Sequence, residues 1–595
     1  MDGIHYIDGL RLKAAVIAGS NHLISRRKHL DHINVFPVPD SDTGTNMAAA
    51  ARYLVESLRT VQARSVRHAA DAVADAALFG GRGNSGAILA QFFQGFAEGL
   101  EERSRAHVHD FAAAAVRAAS SARDAVSEPT EGTILTVMTD WSNAVMATAR
   151  DGGDYIRTLQ IGYREAERSL AHTPDLLPVL RRAHVVDAGA QGFLYLLDGV
   201  RLLIENGFTD RERIVVDEAE EEIHIEELPD EITFRWCTEC MLHGADLSRE
   251  GIRSMLEAKG DSVVLAGSST RMRIHLHTDD PGGVIEALKA HGEVSGEKAD
   301  DMRQQWRHAH HPPNQRVAIM ADTATDLPAD VLVDQNIHEI PFRIFFGDDQ
   351  FIDKVTLSNT DFYLRLQTER DHPKTTQPTQ ADFLRAYELV SKHYDDVLSI
   401  HVPSALSGTF QAARKVAASV SDKIRVIDSN AGSGGMGLIV LEAARAASEG
   451  CDVETVEQRV RSAVVRTTTL VELETASHLV KGGRISRTKA FVGRLLNVRI
   501  IFTVNAKGEI EVVARIMGGR DPRLEMLRLV DVALAGKAPE RLAVSHAMAP
   551  GKARWYVDRL KQKYGDVDIV VGEFSPALGT HTGPGAVGIG VLRRH

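Results

Sequence analysis

From about residue 8 to 206, apolar residues recur at helical spacing, and strand signals are nearly absent. The apolar faces are alanine-rich, as in HAADAVADAALF, SGAILAQFFQGFAEGL and AQGFLYLLDGVRLLIE. This predicts an all-α domain. From Val317 the texture changes. VAIMAD, DVLSIHVP, KIRVIDS, RLAVSHAM and DIVVGEF are short β-rich runs separated by helical patterns such as SGTFQAARKVAASV, which predicts an α/β sheet. VRIIFTVNAKGEIEVVARIM reads as a hairpin turning at Asn505 to Gly508. Between these regions lie FRWCTECMLHG, SVVLAGSSTRMRIHLHT and PGGVIEALKAHG, which suit a small α+β domain. The expected organisation is a helical domain over 1–208, an acidic linker over 209–230 and a middle domain over 231–298. A polar linker over 299–315 and an α/β region over 316–595 complete it.

A chain of 595 residues is too long for one core. The net charge of -12 argues against a general nucleic-acid binder, which needs clustered Lys and Arg against phosphates. No apolar run reaches the ~18 residues that span a bilayer, and MDGIHYIDG lacks the regions of a signal peptide, so a cytoplasmic location is expected. Three cysteines, Cys237, Cys240 and Cys451, are too few for a disulfide framework.

The helical region carries its chemistry in the loops PDSDTGTN, FGGRGNSG, SEPTEGT and VVDAGAQG. Asp40 and Asp42 are acceptor-only side chains close enough to share one or two Mg²⁺ ions. Thr43, Gly44, Thr45 and Asn46 stand where a following helix points free N–H groups outward. An ordinary N-cap is the alternative, although one capping residue would suffice for it. In GGRGNSG, Gly80, Gly81, Gly83 and Gly86 allow the backbone close to a phosphate, and Asn84 and Ser85 add donors. This is not a Walker A sequence, because GK[ST] is missing.

In the middle domain, Cys237-x-x-Cys240 and His275-x-His277 make a candidate Zn²⁺ quartet, since two histidines two apart on a strand share a face. Buried cysteines beside two strand histidines are the alternative. In the α/β region, the hydroxyls of Thr375, Thr376 and Ser407, with His581 and Arg484, are placed to hold a carboxylate or phosphate at the carboxyl ends of strands. Each loop taken singly is ordinary turn chemistry.

Together these motifs carry two resemblances. INVFPVPDSDTGTNM, GGRGNSGAILAQ, EGTILTV and VVDAGAQGF, in that order, resemble the nucleotide-binding domain of the DhaL (dihydroxyacetone kinase) family, and more specifically the kinase subunit of bacterial fatty acid kinases. WCTECM and IHLHTDDPGGVIEAL resemble the middle domain of that subunit. DTATDLP, KTTQP, SGTF, VIDS, KGGRIS and GTHTGPGA resemble the DegV family, whose members bind fatty acids and serve as acyl carriers of fatty acid kinase.

The first resemblance implies an antiparallel helical barrel holding ATP and two Mg²⁺. Asp40 and Asp42 would be metal ligands, with Asn34 near a further ligand position. Thr43, Gly44, Asn46, Gly83, Asn84, Ser85 and Gly86 would hold phosphates, and Thr133, Asp187 and Gly189 would lie near the nucleotide. Ser41 stands where the resemblance leads one to expect glycine. For the middle domain it implies Cys237, His275 and His277 as metal ligands, with Cys240 the weaker candidate. For the DegV part it implies Thr375, Thr376, Ser407, Gly408 and His581 at the fatty-acid carboxyl end, and Arg484 facing the phosphoryl group; Arg515 is a weaker candidate. A fatty acid, a downstream acyltransferase at the membrane surface and a second copy of the chain are the partners implied.

At ~0.8 kcal/mol per buried CH₂, a long acyl chain supplies on the order of 10 kcal/mol of gross burial. The resulting expectation is ATP-dependent phosphorylation of a fatty-acid carboxylate to an acyl phosphate, with kinase and carrier in one chain. Two alternatives stand beside it: phosphorylation of dihydroxyacetone or another small hydroxyl substrate, and a lipid-binding regulator in which ATP controls ligand release without turnover.

Overall fold

The computed structural model describes residues 4–36, 42–152, 154–205, 232–310, 315–391, 393–485, 498–517 and 521–595. Asp40 and Ser41 lie outside the described residues, as does the acidic stretch expected as the first linker. The chain forms two compact units, 1–311 and 312–595.

The first unit begins with helices α1 (Gly9–Ser25), α2 (Arg27–His32), α3 (Thr43–Thr60), α4 (Val66–Gly80), α5 (Gly83–Gly99), α6 (Val108–Ala125), α7 (Ile134–Arg150) and α8 (Tyr155–Ala171). Two short helices follow, α9 (Thr173–Leu176) and α10 (Pro178–Ala183), and then α11 (Ala188–Glu205). A short antiparallel pair, β1 (Tyr6–Ile7) and β2 (Ala106–His107), stands just before α1 and α6. The alanine pattern has a direct packing cause. On α6, Ala112, Ala114, Ala115, Ala118, Ala119, Ala122 and Ala125 are all buried, and α5 comes so close that a Cβ on Gly99 would lie 2.7 Å from the Ala114 Cα. Small residues on both helices allow this approach and leave the bulky Phe92, Phe96, Trp141 and Phe193 to fill the interior.

The middle domain is an antiparallel sheet of β3 (Trp236–His243), β4 (Asp261–Gly267), β5 (Arg271–Thr278) and β6 (Glu293–Asp301), in the order β4-β5-β3-β6. Its two faces follow the period of a strand. Val263 and Leu265 point to a core shared with helices α12 (Arg249–Glu257) and α13 (Pro281–Lys289). Val264, Ala266 and Met241 point the other way and bury themselves among residues of the helical domain, including Leu54, Leu58 and Val73. Gly267 N–H donating to Gln91 Oε1 (2.7 Å) and Ser127 N–H donating to the Val263 carbonyl (3.1 Å) tie the sheet to α5 and to the loop after α6.

The polar stretch expected as a linker from residue 299 is corrected by the structure. Its first residues complete β6, and α14 (Met302–His310) follows, with Met302 and Gln305 buried. The charges of this segment lie on an edge strand and a short helix, a composition that mimics a solvated connector.

The second unit contains a parallel sheet, β13-β12-β7-β8, of Ile424–Asp428, Asp396–His401, Val317–Asp322 and Ile337–Ile340. A small antiparallel sheet has the order β10-β9-β11, formed by Asp349–Ile352, Arg343–Phe346 and Lys374–Thr376. The third sheet is mixed, in the order β16-β15-β14-β19-β17-β18. Its strands are Ile510–Ile516, Arg499–Val504, Thr467–Leu473, Val587–Arg593, Pro539–His546 and Ile569–Glu573. The expected hairpin is the β15–β16 pair. Gly508, at φ +76°, donates its N–H to the Asn505 carbonyl at 2.8 Å and closes the turn. Buried helix Ser433–Ser448, with Met436, Leu438, Ile439 and Val440, is central to the largest apolar core of this unit.

Among the described residues, no helix is long and apolar enough to cross a membrane.

Candidate functional site

Helices α3 and α5 bring their N-terminal ends to one cavity. Asn34, Asp42, Thr43 and Asn46 line it from one side and Gly83, Asn84 and Ser85 from another; Cys237, His275 and His277 of the middle domain complete it, with Arg82 and Met302. The positive ends of two helix dipoles and several donor side chains face this cavity, features that suit an anion.

The start of α3 is built from below. Thr43 Oγ1 donates to Asn34 Oδ1 at 2.7 Å. Thr45 donates both its N–H (2.7 Å) and its hydroxyl (2.8 Å) to Asp31 on α2, so the Thr45 N–H expected to face a phosphate is occupied. The Asn46 N–H is likewise taken by the Asp42 carbonyl at 2.8 Å. Gly44 has a packing reason, because any Cβ there would run into the Arg27 carbonyl. Asp31 had no motif to mark it. Its role depends on α2 and α3 lying against each other.

Gly83 adopts φ +62°, and a Cβ would stand 2.8 Å from Asn46 Nδ2, so glycine allows the α3 and α5 loops to meet. Gly86 donates its N–H to the Arg82 carbonyl at 3.1 Å and starts the helix.

Thr133, Asp187 and Gly189 stand behind this surface. Thr133 is the N-cap of α7 and donates its hydroxyl to the Thr130 carbonyl at 2.7 Å. Asp187 accepts the Ala190 N–H at 2.8 Å, and burial pushes its carboxyl up to about 6 against the pull of the Ala190 and Ile134 N–H groups. A Cβ on Gly189 would lie 2.9 Å from Ser85 Oγ and 3.5 Å from Ile134 Cβ, so the starts of α5, α7 and α11 converge there.

The middle domain contributes Cys237, His275 and His277, whose candidate donor atoms all lie within 4.8 Å of one another. The β3–β5 register explains this: Cys237 pairs with His277 and Glu239 with His275. Cys237 Sγ and Glu239 Oε1 lie 3.8 and 3.4 Å from His275 Nδ1, which leaves Nε2 as the nitrogen to ligate a metal. His275 Nε2 is buried without a hydrogen-bond partner, and Asp261 stands 3.4 Å from His277 Nδ1 as an orienting carboxylate. These residues suit Zn²⁺.

Burial pushes the Cys237 thiol well up and lowers His275. Burial also opposes the charge of Glu239, but Lys298, Arg273 and His275 outweigh it and hold the carboxyl well below its usual range. Cys240 is corrected as a ligand. Three residues along a strand reverse the face, and Cys240 packs in the apolar core with Leu242 and Ile274.

In the second unit, Thr375 Oγ1 and His581 Nε2 are 3.1 Å apart, joining β11 to helix Pro576–Thr582. The Lys481–Arg484 turn crosses this pair so closely that any Cβ on Gly482 would collide with His581 Nδ1. Arg484 is half-buried and donates to the Gly482 carbonyl at 2.7 Å; among the described residues no carboxylate pairs with it, and burial lowers its pKa. Burial, with Arg484 and His372 nearby, pushes His581 down to about 3, so its ring is neutral near pH 7.

Ser407 bonds Thr409 at 2.7 Å, and a Cβ on Gly408 would strike Gln377, which places this loop beside the Thr375–Thr376 strand. Thr376 is exposed on the side of β11 opposite Thr375, and Arg515 is exposed on β16. His372 and His478 went unmarked in the sequence; their rings lie 5.5 Å apart, tilted by 45°, and a Cβ on Gly583, next to His581 and Thr582, would meet the His478 ring.

Two helix starts at one cavity of a helical domain, a middle domain bearing a Cys/His/His cluster and an α/β unit define the class: a multidomain protein with an all-α, an α+β and an α/β part. The family models give its parts. Residues 37–201 match the DAK2 domain, residues 233–309 the FakA-like middle domain of fatty acid kinase, and residues 316–594 the DegV family, described as uncharacterised protein. The chain therefore carries, in order, segments that match the DAK2 domain, the FakA-like middle domain and the DegV family.

It is 32% identical over 314 residues to protein YloV of Bacillus subtilis, covering 51% of this chain and 57% of that one. It is also 32% identical over 312 residues to an uncharacterized protein of Staphylococcus saprophyticus, covering 51% and 56%. The chain thus spans somewhat over half the length of these curated relatives. Among solved structures, the fatty acid binding protein DegV of Bacillus subtilis aligns at 28% identity over 47% of this chain and 100% of its own, with TM-score 0.44. A fatty-acid-binding DegV family protein of Thermus thermophilus aligns at 27% identity with the same coverage and TM-score 0.43.

Proposed function

We propose that this chain transfers the γ-phosphoryl group of ATP to the carboxylate of a fatty acid held by its DegV domain, giving acyl phosphate and ADP. The observation that carries this reading is the cavity at the α3 and α5 helix starts, lined by Asp42, Asn46, Asn84 and Ser85, in a chain whose other half is a DegV domain.

Asp40 and Asp42 would hold Mg²⁺, which when bound neutralises phosphate charge. Thr43, Asn46, Asn84 and Ser85 orient the phosphates through hydroxyl, amide and backbone donors. Asn34 fixes Thr43, and Asp31 fixes Thr45, so the α3 start is rigid before ligand arrives. Cys237, His275 and His277 would hold Zn²⁺ at the same cavity.

On the acceptor side, Thr375 and neutral His581 supply hydrogen bonds to the carboxyl group, and Arg484 supplies positive charge. A carboxylate is already ionised near pH 7 and needs no general base, so the chain contributes positioning and charge neutralisation.

The test is ADP release by the purified chain with ATP and Mg²⁺, in parallel with oleate, dihydroxyacetone or neither. Release stimulated by oleate alone supports the reading. Stimulation by dihydroxyacetone alone makes this a small-hydroxyl kinase, and tight oleate binding without ADP release makes it an ATP-controlled lipid-binding regulator.

A further inference from the structure

Glu239 belongs to neither ligand set, yet it touches both. It is 1% exposed on β3, two residues beyond Cys237 and on the same face. Its Oε1 accepts the N–H of Gly83 at 2.6 Å, at the first residue of α5, and stands 3.4 Å from His275 Nδ1. Its Oε2 accepts from Arg273 at 2.9 Å, and the other arm of that guanidinium donates to the carbonyls of Leu78 (3.2 Å) and Phe79 (3.3 Å) at the end of α4. The Glu239–Arg273 pair therefore grips the turn between α4 and α5 at both ends, and that turn presents Asn84 and Ser85 to the cavity.

We infer that Glu239 is a positioning residue that couples metal binding at Cys237, His275 and His277 to nucleotide binding at the α5 turn. The inference rests on the reading of those three residues as metal ligands and of the cavity as a phosphate site. One carboxylate oxygen serves the metal-side histidine and the Gly83 N–H together, so fixing the His275 ring fixes the turn, and a turn ordered by phosphate in turn holds His275. A carboxylate behind a metal-binding histidine sets the orientation of the ring. Thermodynamic reciprocity then requires each ligand to tighten the other by the same factor.

The experiment uses the intact 595-residue chain, stripped of metal or loaded with one equivalent of Zn²⁺. The affinity for a non-hydrolysable ATP analogue with Mg²⁺ is measured by calorimetry in both states, and the affinity for Zn²⁺ by chelator competition with and without the analogue. The wild-type chain is expected to show a reciprocal factor of about fivefold or more. In E239Q each ligand still binds, and the factor falls towards one. An equal factor in E239Q, or a factor of one in the wild type, overturns the inference.

Hydrogen exchange of the wild-type segment 78–86 provides a second arm that needs no variant. Faster exchange on metal removal supports the coupling, and unchanged exchange refutes it. Failure of the wild type to bind Zn²⁺ or nucleotide at all would overturn the underlying site reading, whereas tight but independent binding of both overturns the coupling alone.

Discussion

Asp31→Ala should loosen the α3 start without unfolding the domain. Asp31 is 7% exposed and receives two bonds from Thr45, at 2.7 and 2.8 Å. A hydrogen bond to a charged acceptor contributes about 1.5–3 kcal/mol, but Thr45 is half-buried, and water can satisfy its donors in part once the carboxylate is gone. A local loss of about 2 kcal/mol follows, which by the tenfold-per-1.4 kcal/mol rule is roughly a 30-fold faster opening. Hydrogen exchange of the segment 42–47 reads this directly, with the interior of α6 as the internal control. The weaker variant Asp31→Asn keeps an acceptor for the Thr45 N–H and should give an intermediate rate. Exchange at 42–47 that does not change in Asp31→Ala would show that Gly44 packing alone, and not Asp31, fixes the helix start.

Asp40→Asn combined with Asp42→Asn should abolish ADP formation while a fluorescent fatty acid still binds; full activity would remove these carboxylates from the metal role. Arg484→Ala should reduce phosphoryl transfer by tenfold or more, on the order of 1.4 kcal/mol, and leave analogue affinity within about twofold; an equal effect on both would place Arg484 outside the acceptor site. Asp353 is pushed up to about 7 by burial, against the pull of Lys354 and the Thr323 hydroxyl, so the folded chain holds a proton that the unfolded chain releases near 4. Stability contributed by that proton is complete below about pH 4 and is lost as pH rises towards 7. The Tm of Asp353→Asn should therefore gain on the wild type across that window, and a pH-independent Tm difference would contradict the burial argument.

Much of the fold was readable because periodicity reports burial on one face. The alanine faces of α4 to α6 and the Asn505–Gly508 turn follow from local chemistry. The His275-x-His277 pair was readable for the same reason, since a strand places both rings on one side. That rule also rejects Cys240, three residues from Cys237, and the attraction of a four-ligand zinc set obscured it. Asp31 and Glu239 were not readable. Each is a single carboxylate whose importance comes from a contact across the fold, with Thr45 on another helix and with Gly83, which is 156 residues away in sequence. The segment after 299 misled because the core takes Met302 and Gln305 while charged neighbours dominate the composition.

The proposed product that distinguishes this chain is an acyl phosphate made within one polypeptide. Purified protein incubated with ATP, Mg²⁺ and oleate in the presence of hydroxylamine should yield oleoyl hydroxamate, detected by mass spectrometry, in an amount matching the ADP formed. The product should be absent from the Asp40→Asn, Asp42→Asn double variant. ADP formation with oleate but no hydroxamate would contradict transfer to the carboxylate, and with it the account of this protein as a kinase and its acyl carrier in a single polypeptide.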